Sequence, residues 1–240
     1  MSLSSHVAPL LGGVLIGTSA LLLLWLSGRV AGVSGIIGGL LGAPRGDRTW
    51  RLAFLVGLWL GGLTLLVLAP SSLPRTLPDA WPVVVLAGFL VGFGAGRANG
   101  CTSGHGVCGL GRRSLRSLVA VLTFMTTGAL TAQLLRPFRD AGLMLTMVGA
   151  TLVTLLGFPL VLRRGAPVLA DKFVLPTRRD IDRSLILGAA LFGVGWGLVG
   201  LCPGPALTGL AGGSPQVLVF VLAMLGGMLT HRLTPGGKSS

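Results

Sequence analysis

The chain has 240 residues, of which 52% are apolar and only 10% charged, with no tyrosine and a mean hydropathy of +0.85. An average soluble domain carries roughly 25% charged residues, so an ordinary water-soluble fold is excluded and the solvent for this chain is a bilayer. The formal charge of +13 would suggest nucleic acid in a soluble protein. Here the cations sit in loops between apolar runs, where they act as topology signals, and no nucleic-acid partner is expected. Three cysteines cannot all pair within one chain, so no disulfide framework is expected either.

Crossing a hydrocarbon layer of about 30 Å takes about 17 to 25 residues of helix. Seven runs qualify, near 8–26, 51–69, 81–97, 116–135, 141–162, 184–199 and 215–231. The first has no lysine or arginine before it, unlike a signal peptide, and is expected to be retained. Two shorter apolar pieces, 32–41 and 166–175, cannot cross. Each is either a re-entrant half-helix or a loop on the membrane surface, the second reading being stronger for 166–175. The resulting fold class is an all-α polytopic membrane protein. Its two repeats, 1–140 and 141–240, form one integrated membrane domain.

With seven crossings, sixteen of the nineteen Lys and Arg fall on one side and only Arg75, Arg136 and Arg139 on the other. The positive-inside rule then puts the N-terminus outside and the C-terminus in the cytoplasm, as expected for a bacterial inner-membrane protein. Trp25, Trp50 and Trp81 fall near predicted span ends and read as interface anchors, whereas Trp196 reads as core.

The chain repeats itself at an offset of 101 residues. Gly92, Gly94 and Gly96 lead to Cys101 as Gly193, Gly195 and Gly197 lead to Cys202, so both copies read GxGxGxxxxC. Span 3 ends at the cytoplasm and span 6 outside, so the two cysteine segments enter from opposite faces, the arrangement of an inverted repeat with a site near the midplane.

From Gly100 to Gly111, both included, there are five glycines, each costing a helix about 1 kcal/mol relative to alanine. A regular lipid-facing helix is not expected there, and the exposed backbone must be satisfied by protein or a wet cavity. In the second copy, Pro203 and Pro205 stop the span. A half-helix starting at Pro203 and Gly204 would aim its N–H groups at the space around Cys202.

Gly100, Gly104, Asn99, Thr102, Ser103, His105 and the thiols of Cys101, Cys108 and Cys202 form the candidate binding set, small groups that donate hydrogen bonds. All six acids are aspartates in loops (Asp47, Asp79, Asp140, Asp171, Asp180 and Asp182), so a proton or sodium path built on membrane carboxylates is disfavoured. An anion or a polarizable neutral solute fits better. Soft sulfur can hold a sulfur-bearing solute without trapping it; alternatively a thiolate could attack sulfane sulfur and form a persulfide. Arg97 and Arg112 could attract an anion, but topology and headgroup contact account for them. Cys101, His105 and Cys108, at i, i+4 and i+7, would share one face of a helix and suggest a soft-metal site, against which the glycines argue. Cys108 reads equally well as a small buried hydrophobe, and His105 as a turn or carbonyl partner.

GCTSGHGVCGLGRRSLRSLVAVLTFMTTG, preceded by GxGxG, resembles the signature of the YeeE/YedE sulfur-transport family of bacterial membrane proteins. GLVGLCPGPAL resembles that family's second motif and GRVAGVSGI its first re-entrant stretch. The resemblance implies uptake of thiosulfate or a related sulfur anion through an hourglass-shaped protein. Cys101 and Cys202, and less directly Cys108, would bind the ion at the waist, with no cofactor and no enzymatic role. A cytoplasmic sulfur-carrier or sulfurtransferase partner belongs to the alternative in which the thiols pass on sulfur as persulfide. Two departures stand out: the second half has a loop from Arg163 to Arg183 where a further span is expected, and the first re-entrant stretch has no cysteine.

Overall fold

A computed structural model describes residues 4–40, 47–70, 73, 77, 80–135 and 142–234. Of the acids named and the cations counted above, Arg45, Arg75, Asp79, Arg136, Arg139, Asp140 and Lys238 lie outside that set. Among the described residues, regular secondary structure is all helical apart from one isolated bridge between Arg29 and Val174. Its α-helices are α1 (Ser4–Ser27), α2 (Val33–Leu40), α3 (Thr49–Leu68), α4 (Trp81–Ala98), α5 (Leu115–Leu135), α6 (Gly142–Leu162), α7 (Arg183–Val199), α8 (Pro203–Gly209) and α9 (Pro215–Leu233). A π-helix covers Thr102–Gly109. Seven segments are long and apolar enough to cross a membrane; six lie at the predicted runs, and the remaining one, Arg183–Gly212, continues beyond the predicted 184–199 through α8.

Local sequence explains the starts. Proline occupies the first turn of α4 and α9, where its missing N–H costs nothing. Asp182 caps α7, its carboxylate accepting the Leu185 N–H at 3.0 Å. Described acids all lie outside the helices.

The chain forms two compact units. Unit 1 is drawn from the described residues within 1–32, 102–121 and 138–181, and unit 2 from those within 33–101, 122–137 and 182–240. Compactness and the sequence repeat therefore divide the chain differently, since each unit takes segments from both sides of residue 140.

In unit 1, α1 and α6 run parallel. Gly13 lies against Thr146 and Ala150, Gly17 against Ala150 and Val153, and Gly157 against Leu21, the numbers rising together. Leu24, Ala20, Val107, Cys108, Ala150 and Phe158 make its core. The piece 166–175 forms no helix and takes the surface-loop alternative. Val168 and Leu169 donate to the carbonyls of Trp25 and Leu26 at 2.9 and 2.8 Å, and Val174 to Gly28 at 2.8 Å. The loop thus satisfies carbonyls that the end of α1 would otherwise leave unpaired.

In unit 2, α4 packs against both α7 and α9, and its buried face runs from Val84 to Ala98. The GxGxG runs do the packing here. Gly94 lies against Gly188 and Phe192 of α7, and Gly195 answers it against Ala87, Leu90 and Val91 of α4. Rising numbers on one helix meet falling numbers on the other, so α4 and α7 are antiparallel. The flanking glycines take a second helix. Gly92 and Gly96 receive Met224 and His231 of α9, while Gly193 and Gly197 receive Phe124, Thr127, Gly128 and Thr131 of α5. Each middle glycine packs on the other copy, and each flanking pair grips the helix that follows the other copy's cysteine. Small residues let backbones approach closely where hydrophobicity offers no drive for helices to associate.

Directions within the units follow one rule. Helices α1 and α6, α4 and α9, and α5 and α7 are parallel, and α4 and α7 antiparallel, as alternate crossings by seven spans require. The repeat is inverted because its two copies lie head to tail.

Candidate functional site

Both copies of the repeat end in the same device. Helix α4 stops because Asn99 adopts the left-handed region at φ 58°, which asparagine tolerates better than most residues. The Asn99 and Gly100 N–H groups then bond to Gly96 and Ala95 at 3.1 and 3.0 Å. Helix α7 stops at Gly200, φ 75°, whose N–H bonds to Trp196 at 2.7 Å. Asn99 and Gly200 are themselves 101 residues apart, and each precedes a cysteine by two. Asn99 is exposed, and its backbone makes this turn. Gly100, half-buried, completes it.

The cysteines that follow are buried thiols, Cys101 at 2% and Cys202 at 7% exposure. Cys202 is the N-cap of α8, with Pro203 at the first position. The cap uses the Cys202 carbonyl, which accepts the Ala206 N–H at 2.9 Å, and not its thiol. Gly204 leaves room beside Val33 of α2, where an added Cβ would sit 3.8 Å from the Val33 side chain. The next residue, Ser34, is buried with its hydroxyl unpartnered. Because α4 and α7 are antiparallel, their exits toward Cys101 and Cys202 are separated by about 20 Å of helix at 1.5 Å per residue. Within unit 2 the thiols follow opposite ends of one helix pair.

The other candidates belong to unit 1. From Thr102 the chain enters an eight-residue π-helix rich in glycine, a form rare in proteins and frequent at functional sites. Its polar backbone is satisfied by side chains of the surrounding helices. Thr151 donates to the Gly106 carbonyl at 3.0 Å, and Thr154 Oγ1 lies 2.8 Å from the Val107 carbonyl. Arg112 donates to the Cys108 carbonyl at 3.4 Å. Backbone outside an α-helix is thus held by protein, as membrane depth demands.

His105, buried, lies with Nδ1 3.1 Å from the Ser117 hydroxyl. Cys108 is fully buried and donates its thiol hydrogen to the Ala31 carbonyl at 3.3 Å. Both side chains have partners within unit 1: His105 meets a hydroxyl, where its structural alternative expected a turn or a carbonyl, and Cys108 is buried as a small side chain that also bonds a carbonyl. Thr102 is buried, and Ser103 and Gly104 are half-buried, with Gly104 beside Gly32. An i→i+5 helix does not keep i, i+4 and i+7 on one face. Among the described residues no three His, Cys, Asp or Glu side chains group as metal ligands.

Ser34, Ser117, Thr151 and Thr154 escaped sequence reasoning. They lie inside or beside apolar runs, where a lone hydroxyl usually bonds back to its own helix and carries no distinguishing signal. Thr154 is fully buried, so Thr154→Val leaves the Val107 carbonyl without that donor. The expected cost is about 1–3 kcal/mol, read as a lower melting temperature of the purified protein. Thr154→Ser should recover most of it, and equal melting of the valine and serine variants would refute the assignment.

Known proteins match the chain in two consecutive segments, which cut across both compact units. A model of the sulphur transport family matches residues 2–131, and a family of unknown function matches residues 134–238. A protein of Xylella fastidiosa (strain Temecula1 / ATCC 700964) described as a probable transporter is 44% identical over 130 residues, 54% of this chain and 95% of that protein. Another probable transporter of that strain is 44% identical over 92 residues, 38% of this chain and 62% of that protein. No solved structure matches.

Proposed function

The chain belongs to the sulphur transport family, and we propose that it carries a sulfur-containing anion, thiosulfate foremost, into the bacterial cytoplasm with Cys101 and Cys202 as consecutive stations. The observation that carries this reading is the pair of matched helix breaks: a left-handed cap, then a buried thiol, at opposite ends of the antiparallel α4–α7 pair. A solute passing from one end of that pair to the other meets a soft, weakly donating group at each. Weak binding at successive positions suits passage, because a solute held too tightly is not released. Ser34 adds a buried hydroxyl on α2, next in sequence to Val33, which lies beside Gly204 of α8. The absence of acids from the described helices keeps the path free of charges that would repel an anion. Sixteen of nineteen cations on one side orient the chain with its N-terminus outside the inner membrane.

The test is uptake of radiolabelled thiosulfate by proteoliposomes containing the full chain. Cys101→Ala and Cys202→Ala are each expected to lower the initial rate by at least about tenfold, equivalent to about 1.4 kcal/mol, with the protein still folded by gel filtration. Native rates in both alanine variants would end the proposal. Cys101→Ser separates the chemistry. Recovery by serine indicates hydrogen bonding, whereas loss with serine together with a persulfide mass on wild-type Cys101 indicates covalent relay to a cytoplasmic acceptor.

A further inference from the structure

Unit 1 contains a cavity of about 1000 Å³ whose walls include Arg112, Arg113, Arg116, Arg178 and Arg179 and no acidic side chain. Charge bias in loops explains why arginines occur on this side of the protein. It does not explain why five of them, from two segments more than sixty residues apart in sequence, surround one space.

Two of the five are built into the structure. Arg116 is buried and donates to the Asp180 carbonyl. Arg112 is half-buried and donates to the carbonyls of Cys108 and Pro176 at 3.4 and 3.2 Å. Burial lowers the Arg112 pKa from its ordinary value, with Cys108 acting in the opposite direction, and a guanidinium remains charged in either case. Arg113, Arg178 and Arg179 are exposed and form the rim.

The cavity wall also includes Ser114 and the start of α5. The Ser114 hydroxyl accepts the Ser117 N–H at 3.3 Å, and the first turn of this 21-residue helix has no acid to offset its positive end. Asp180 and Asp182 follow the 175–179 wall in sequence; counted against the five arginines, they leave the region positive. Fixed guanidinium forks and a helix N-terminus share one preferred ligand, a tetrahedral oxoanion able to accept several hydrogen bonds at once.

We propose that this cavity is a binding site for a phosphate- or sulfate-type oxoanion group, with room for the organic body that carries it. The site belongs to unit 1 and uses neither Cys101 nor Cys202, so it stands independently of the transport reading. A soluble anion and the headgroup of an anionic lipid both present such a group, and the experiment has an arm for each.

Full-length protein in nanodiscs of phosphatidylcholine alone is titrated with inorganic phosphate and with sulfate at constant ionic strength set by chloride. In parallel, protein in detergent is titrated with phosphatidylglycerol and followed by native mass spectrometry. The double variant Arg113→Gln, Arg179→Gln removes two exposed rim charges and leaves the carbonyl contacts of Arg112 and Arg116 in place. Wild type is expected to bind one oxoanion or one lipid per chain. The double variant should weaken whichever is bound by at least about tenfold, with an unchanged melting temperature in the absence of ligand. The corresponding double lysine variant should recover part of the loss, because it restores charge without the planar fork. Saturation in the phosphate or sulfate arm assigns a soluble ligand, and saturation in the lipid arm alone assigns a headgroup. Binding in neither arm, or equal binding by wild type and the glutamine variant, overturns the proposal.

Discussion

Residues 1–135 and 142–240, produced as two separate chains in one cell, should assemble and co-purify at equal stoichiometry, whereas either chain alone should fail to accumulate. The matched family segments meet between residues 131 and 134, next to the end of α5 at Leu135. Neither segment contains a complete compact unit. Helix α1 finds its partner α6 across that boundary, and α4 finds both α7 and α9 across it. Left alone, α4 would present glycine-lined grooves to lipid on two faces, losing the close backbone packing that drives association in a bilayer. The relative of which 95% is matched by 54% of this chain is itself about half as long, so a half-length chain of this kind exists in nature. An affinity tag on the first piece should recover the second. Accumulation of the first piece alone, monodisperse and as resistant to protease as the intact chain, would refute the interlock.

Gly92→Val should destroy the folded protein, and Gly57→Val should leave it nearly unchanged. A side chain at Gly92 would land on the Met224 carbonyl of α9, which is backbone and cannot rotate away. Helix α9 must then separate from α4, which also disturbs the contacts of Gly88 with Phe220 and of Gly96 with His231. Overpacking a tight interior costs about 1–3 kcal/mol and sometimes more. Here three successive contacts share one rigid interface, so the loss is expected at or above the top of that range. Gly57 is an exposed position of α3 with nothing within 4 Å of an added Cβ. Gel filtration of fluorescently tagged variants and their melting temperatures give the comparison. Indistinguishable melting of the two variants would show that the α4–α9 contact is looser than its geometry implies.

How much of this was legible beforehand differs between the spans and the site. Span number and limits follow from composition, because a helix in hydrocarbon must be apolar on every side and about 20 residues long. Sequence separation also revealed the repeat, and with two spans between the copies, an even number, it required them to be inverted. Cys101 and Cys202 stood out because both close a glycine run in the same register. What sequence could not show was the use of those glycines. GxGxG reads equally well as flexibility near a site or as a packing face, and only the neighbouring backbones distinguish the two.

By itself, then, the amino-acid order determined an all-α membrane body of seven spans, the inverted pairing of Gly92–Cys101 with Gly193–Cys202, and membership of a sulfur-transport lineage. Each follows from a one-dimensional property: hydropathy over a window, a fixed offset, a motif. Tertiary structure decided the rest. It assigned the middle glycines to α4 on α7 and the outer ones to α9 and α5, engaged His105 with Ser117 and Cys108 with Ala31, and gathered five arginines around one cavity. These depend on which segments become neighbours across a hundred residues of chain. In a bilayer, where apolar faces resemble the surrounding lipid, backbone proximity and hydrogen-bond satisfaction choose those neighbours, and neither is written in local sequence.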